Sequence, residues 1–179
     1  MSVTFEKDIN ARAIMDVAEK MAVAARTAPK GRGVDNLTIA IVSGADMARI
    51  ADKMKEMDQK HGLPSFSRDA ENLTQSSAML LLGTRIKPLG LKKCGICGFG
   101  NCAGKEKHPD APCAFNTGDL GIAAGSAVSV AADNRVDNRI MYSAGMAAIE
   151  LGVFDADVKI VYGVPLSATA KSPFFDRKQ

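Results

Sequence analysis

All four cysteines of this 179-residue chain fall in one stretch, CGICGFGNCAGKEKHPDAPC, as Cys94, Cys97, Cys102 and Cys113. The spacing C-x2-C-x4-C-x10-C points to metal chemistry. Two residues between the first pair let the backbone turn so that both sulfurs meet one ion or one cubane face. Gly95 and Gly98 permit positive φ and close backbone approach, and tight loops of this kind turn N–H groups inward, towards sulfur. Gly100 and Gly104 extend that freedom, and Pro112 fixes the approach to Cys113. Three assignments compete. An iron–sulfur cluster on four thiolates comes first. A structural zinc site comes second, because zinc sites usually pair two C-x2-C units and the second unit is missing here. Disulfides come last, since the chain is not small and the cluster is too tight for a bridging framework.

Other chemistry is sparse. Of the two histidines, His61 falls at a helix end, where an imidazolium complements the dipole. His108 lies inside the cysteine stretch, within reach of a ligand or N–H···S role, but four thiolates are already on offer and a solvated ring is expected. GFGNCAGK resembles a P-loop, yet no Ser or Thr follows Lys105 and no strand directly precedes it. Asp133 and Asp137 read as a loop and a cap, and no Ser-His-Asp order stands out. Arg85, Lys87, Lys92, Lys93 and Lys105 flank or enter the stretch. They form either a solvated surface or a positive collar, which would ease reduction of an anionic cluster and steer an acidic electron carrier.

The elements that must carry this loop read as follows. Residues 8–28 repeat Ile14, Val17, Ala18, Met21 and Ala25 at helical spacing, with Asp8 as cap and Pro29 as stop. LTIAIVS (37–43) is a strand. A helix over 45–61 places Met47, Ile50, Met54 and Met57 on one face, which is core filler. Residues 63–76 are irregular apart from a short helix near Ala70, and AMLLL (78–82) is a second strand. After the cysteines come helices over 119–132, capped by Asp119, and 140–151, then a strand over 158–164 and an aperiodic tail. The expected fold is α+β, an α/β layered single domain spanning 1–179, with a cysteine-rich loop at 84–115 inserted within it. A net charge of +3 with interleaved acids argues against nucleic acid. No apolar run reaches bilayer length, so no membrane partner is expected. MSVTFEKDIN has no apolar core of a signal peptide, which makes the cytoplasm the expected location.

The cysteine motif resembles the cluster-binding segment of Rnf-type electron-transport subunits and corrinoid iron–sulfur proteins. Cys94, Cys97 and Cys102 match three of its ligands, with Gly98 and Phe99 between the second and third. Cys113 comes sooner than those families place the fourth. The resemblance of the motif implies a 4Fe–4S cluster, and the whole chain resembles an uncharacterised family of ferredoxin-domain proteins from anaerobic bacteria and archaea. The frame is similar to FMN-dependent nitroreductases: a first helix, an Ala28-Pro29 loop ending at Asn36, a strand, then DLGIAAGSAV, SAGMAAIELG and a last strand near Gly163 and Pro165. That resemblance implies a homodimer with FMN at its interface. The matching cofactor positions are Asn36 together with Arg12, Lys171 and Arg177 for the phosphate. The double-Arg start of that family is absent, and the Ala-Pro loop is longer. The expected function is a 4Fe–4S electron carrier or flavin-linked reductase acting with a redox partner protein or a small-molecule substrate. The alternative is a zinc-stapled, non-enzymatic interaction module.

Overall fold

The computed structural model describes residues 2–175. Its elements run α1 (Glu6–Thr27), β1 (Leu37–Ser43), α2 (Gly44–His61), α3 (Pro64–Thr74), β2 (Ala78–Arg85), α4 (Cys102–Glu106), α5 (Ala114–Asp133), β3 (Asp137–Asn138), α6 (Tyr142–Glu150) and β4 (Val158–Ser167). The four strands form one antiparallel sheet in the order β1-β2-β4-β3.

Helices cover both faces of that sheet, so the central strand β2 is apolar on both sides. Ala78, Leu80 and Leu82 enter a core shared with α1 and α5. Met79 and Leu81 enter a second core, with α2, α3 and α6. Full burial of a leucine contributes about 1.5–3 kcal/mol. Leu80, Leu81 and Leu82, all at 0% exposure, therefore outweigh the exposed ion pairs, worth about 0–1 kcal/mol each.

Local irregularities have local causes. A register shift at Thr84/Arg85 pairs Arg85 with Val158, and this bulge turns Val158 into the second core. Met141 and Gly163 exchange both backbone hydrogen bonds. The same alternation makes Pro165, opposite Arg139, the next donor position on that edge. Proline has no N–H to give, and the ladder resumes only at Asn138.

The structure revises several predicted elements. α1 begins at Glu6 with Phe5 as N-cap, so Asp8 is a first-turn acid rather than the cap. Residues 64–74 form a complete helix whose Phe66, Ala70 and Leu73 pack in the second core. α5 begins five residues before Asp119. The polar break after α5 contains β3, and β2 and β4 each extend three residues beyond their predicted ends. The buried alanines of α5 (Ala123, Ala124, Ala127, Ala131) pack in the core that holds α1 of the same chain. α6 lies so close to β4 that a Cβ on Gly145 would overlap the Val161 carbonyl.

Candidate functional site

The segment between β2 and α5, residues 86–113, contains every cysteine and stands outside the sheet. It is tied to the frame at α5 and at the Ala-Pro loop. Asn116, 1% exposed in the first turn of α5, accepts from Lys87 N–H at 3.0 Å and donates to Lys87 C=O at 3.1 Å. Arg32 donates to the carbonyl of Leu89 at 2.9 Å. Leu89 is buried, and its side chain, with Phe115, lies against Gly31, where an added Cβ would come within 2.6 Å of Leu89. The buried Asp119 carboxylate accepts from Gly31 N–H through both oxygens, at 3.0 and 3.2 Å. The expected helix cap is therefore a strut between α5 and the Ala-Pro loop.

Within the segment the backbone folds tightly on itself. Gly98 and Gly100 take φ of +85° and +71°, as glycine allows. Gly95 does not need positive φ; it needs space, because a Cβ there would sit 3.1 Å from the Gly100 carbonyl. Asn101 caps α4, its Oδ1 accepting from Gly104 N–H at 2.8 Å. The His108 ring stacks on Phe99 at 4.9 Å, closing the loop from the side.

All four cysteines are free thiols: Cys94, Cys97 and Cys102 are half-buried and Cys113 is buried. Cys113 is also the N-cap of α5, its carbonyl accepting from Asn116 N–H at 2.9 Å. Among the described residues no three His, Cys, Asp or Glu side chains stand together as a ligand cage. The donor set nonetheless fits a thiolate-held group: four unpaired sulfurs in one glycine-bent loop with no disulfide.

The collar divides. Arg85 is engaged by Asp155 at 3.2 Å and Asp157 at 2.9 Å. Lys87, Lys92 and Lys93 are exposed. Lys105, on α4, is 2% exposed.

Beside the loop lies a cavity of about 390 Å³, lined by Pro29, Gly31, Ile96, Phe115, Asp119 and Ile122 among others. Ile96 sits between Cys94 and Cys97. The wall is mostly apolar, so the cavity suits a weakly polar occupant.

The proposed flavin residues lie apart within one chain. Arg12 and Lys171 are exposed. They lie at the end of the molecule where Asn10 of α1 donates to the Ala168 carbonyl at 3.5 Å. Asn36 lies at the other end of α1, next to Asp35, which pairs with Arg26 at 2.6 Å. Arg12 and Arg26 are separated by roughly 21 Å of helix. Asn36 is 8% exposed, and its amide Nδ2 has no hydrogen-bond partner. Partial burial raises the Asp35 pKa, but bonds from Arg26 and Leu37 N–H outweigh it and hold the carboxyl below its ordinary 3.8. Arg177 lies outside the described residues. Sequence reasoning missed Asn116, Asp119 and Arg32 as struts, because nothing local marks a polar side chain whose partner is distant in sequence.

Residues 109–177 match a family described as uncharacterised proteins containing a ferredoxin domain (DUF2148). That match includes Cys113 and stops short of the other three cysteines. An uncharacterised protein of Archaeoglobus fulgidus is 46% identical over 179 residues, covering 96% of each chain. The chain belongs to this ferredoxin-domain family. Its fold is nitroreductase-like. Nitroreductase CinD from Lactococcus lactis, solved with nicotinic acid, superposes with a TM-score of 0.63 at 11% identity, over 95% of this chain and 82% of that one. A BluB-like flavoprotein from Clostridium difficile gives 0.59 at 18%, over 92% and 83%. A nitroreductase with bound FMN from Desulfitobacterium hafniense gives 0.57 at 14%, over 88% and 80%. Among the described residues no helix is long and apolar enough to cross a membrane.

Proposed function

We propose that the protein is an iron–sulfur redox protein in which Cys94, Cys97, Cys102 and Cys113 hold a 4Fe–4S cluster against a nitroreductase-like frame. The observation that carries this reading is the shared cavity. Ile96, between two of the thiols, lines the same apolar space as the Ala-Pro loop and the first turns of α5. When bound, the cluster supplies single-electron transfer at a potential tuned by hydrogen bonds to sulfur and by burial. The chain's part is to fix and shield it. Asn116 and Cys113 join the loop to the start of α5. Phe99 and His108 close its side. Ile96, Phe115 and Ile122 present apolar surface to whatever exchanges electrons there.

The flavin-linked form of this reading adds FMN at a homodimer interface. The unpaired Asn36 amide is a buried donor of the kind a flavin carbonyl would satisfy. Because Asn36 and Arg12 are distant within one chain, residues of both protomers would share the phosphate and the ring. Arg12, Lys171 and Arg177 remain the proposed phosphate contacts. The partner is then a redox protein or a small-molecule substrate. The zinc-stapled, non-enzymatic interaction module uses the same thiols, but its metal holds the loop and transfers no electrons.

Anaerobic purification tests these readings. The expected preparation is brown and contains about four iron and four sulfide per chain. Stoichiometric zinc without sulfide would instead establish the stapled module. FMN titration should quench flavin fluorescence at a stoichiometry of one per chain, and sedimentation should give a dimer. No quenching at saturation, or a monomer, would leave an electron carrier without flavin.

A further inference from the structure

Of the cations around the cysteines, Lys105 is the one the fold encloses. It follows Cys102 by three residues on α4, and residues at that spacing share a helix face. That face is turned inward: Cys102 is half-buried and Lys105 buried, while Ala103, Glu106 and Lys107 are exposed. Its backbone is held on both sides, Lys105 N–H donating to Asn101 C=O at 3.1 Å and His108 N–H to Lys105 C=O at 2.8 Å. Among the described residues no carboxylate pairs with its ammonium. The acids nearest in sequence, Glu106 and Asp110, are both exposed. Lys53, by contrast, is held by Glu56 and Glu150 at 2.9 and 3.2 Å.

An enclosed ammonium without an anion is unfavourable unless something offsets it. The anionic groups this loop can provide are its thiolates. Resting on the cluster reading above, we propose that Lys105 is the built-in counter-charge of the four-thiolate site, a positioning residue that sets how readily the bound cluster is reduced. Reduction adds one electron to a group that is already negative. A fixed positive charge at a buried position favours that state more than it would in water. The exposed Lys87, Lys92, Lys93 and Lys107 are screened by solvent and salt, so Lys105 dominates.

The bland alternative is that the lysine stem merely fills space, as such stems do. Lys105→Met keeps a long apolar side chain and removes the charge; Lys105→Arg keeps the charge. Both variants and wild type would be purified anaerobically, assayed for iron and sulfide, and titrated with dithionite under EPR. Lys105→Met should lower the midpoint potential by a tenfold shift in the one-electron equilibrium, ~59 mV, and Lys105→Arg should stay near wild type. Cluster loss in the Met variant with retention in the Arg variant would carry the same conclusion. In metal-free protein, where the charge is uncompensated, Lys105→Met should raise the melting temperature. An unchanged potential in a fully loaded Met variant would overturn the counter-charge role while leaving the cluster reading intact, and so would cluster loss in both variants. Wild type without iron and sulfide would overturn the cluster reading itself, and this inference with it.

Discussion

Asn116→Ala removes the side chain that ties the start of the cysteine loop to α5. Two hydrogen bonds go, one donated by Lys87 N–H and one accepted by Lys87 C=O. Each contributes about 1 kcal/mol net. Lys87 is exposed, so water can reach its freed groups, and the larger penalty for unsatisfied buried groups does not apply in full. The expected loss is about 2 kcal/mol. At about 2–4 °C per kcal/mol for a chain of this size, the melting temperature falls by roughly 4–8 °C. Asn116→Asp sharpens the test. Its carboxylate still accepts from Lys87 N–H but sets a second acceptor against Lys87 C=O, so at neutral pH it should be at least as damaging as alanine. Urea unfolding followed by circular dichroism gives the free energies, and iron retained after a chelator challenge reports on the loop. If Asn116→Ala stays within about 0.5 kcal/mol of wild type, the range of an ordinary surface substitution, and keeps its iron, the clamp does not hold the loop as argued.

Cys113→Ser should lose most bound iron, since a hydroxyl replaces a thiolate poorly; full iron content by metal analysis would remove Cys113 from the ligand set. Gly145→Ala forces α6 off the backbone of β4, so calorimetry should show a loss of about 3 kcal/mol or more, the upper end of overpacking costs. Asp35 has its folded pKa below 3.8, so its contribution is fully present above that value and disappears as pH falls through the lower folded pKa. Wild type should exceed Asp35→Asn by at most about 1 kcal/mol at neutral pH, because the pair is partly exposed. That difference should shrink towards zero in acid, as a pH series of urea midpoints will show.

The sequence by itself determined the elements with strong periodicity and the clustering of the four thiols. Ile14, Val17, Met21 and Ala25 mark α1 because helical spacing is a local property, and LTIAIVS marks β1 for the same reason. Four cysteines in one short stretch motivate the proposed soft-metal site wherever the loop lies, since the two-residue gap acts through adjacent backbone. α3 was less legible: Phe66, Ala70 and Leu73 are few among polar neighbours, and packing in the second core decides the helix.

Tertiary structure decided how the loop is held and which of its charges matter. Asn116 and Asp119 look like ordinary polar residues near a helix start, yet their partners lie 29 and 88 residues away, at Lys87 and Gly31. The cations around the cysteines are equivalent in the sequence. Folding pairs Arg85 with two aspartates, leaves Lys87, Lys92, Lys93 and Lys107 in solvent and encloses Lys105. The physical reason is the same in each case. Hydrogen-bond partners and burial are set by which distant segments pack together, and a residue's own neighbours in the chain carry no record of that packing.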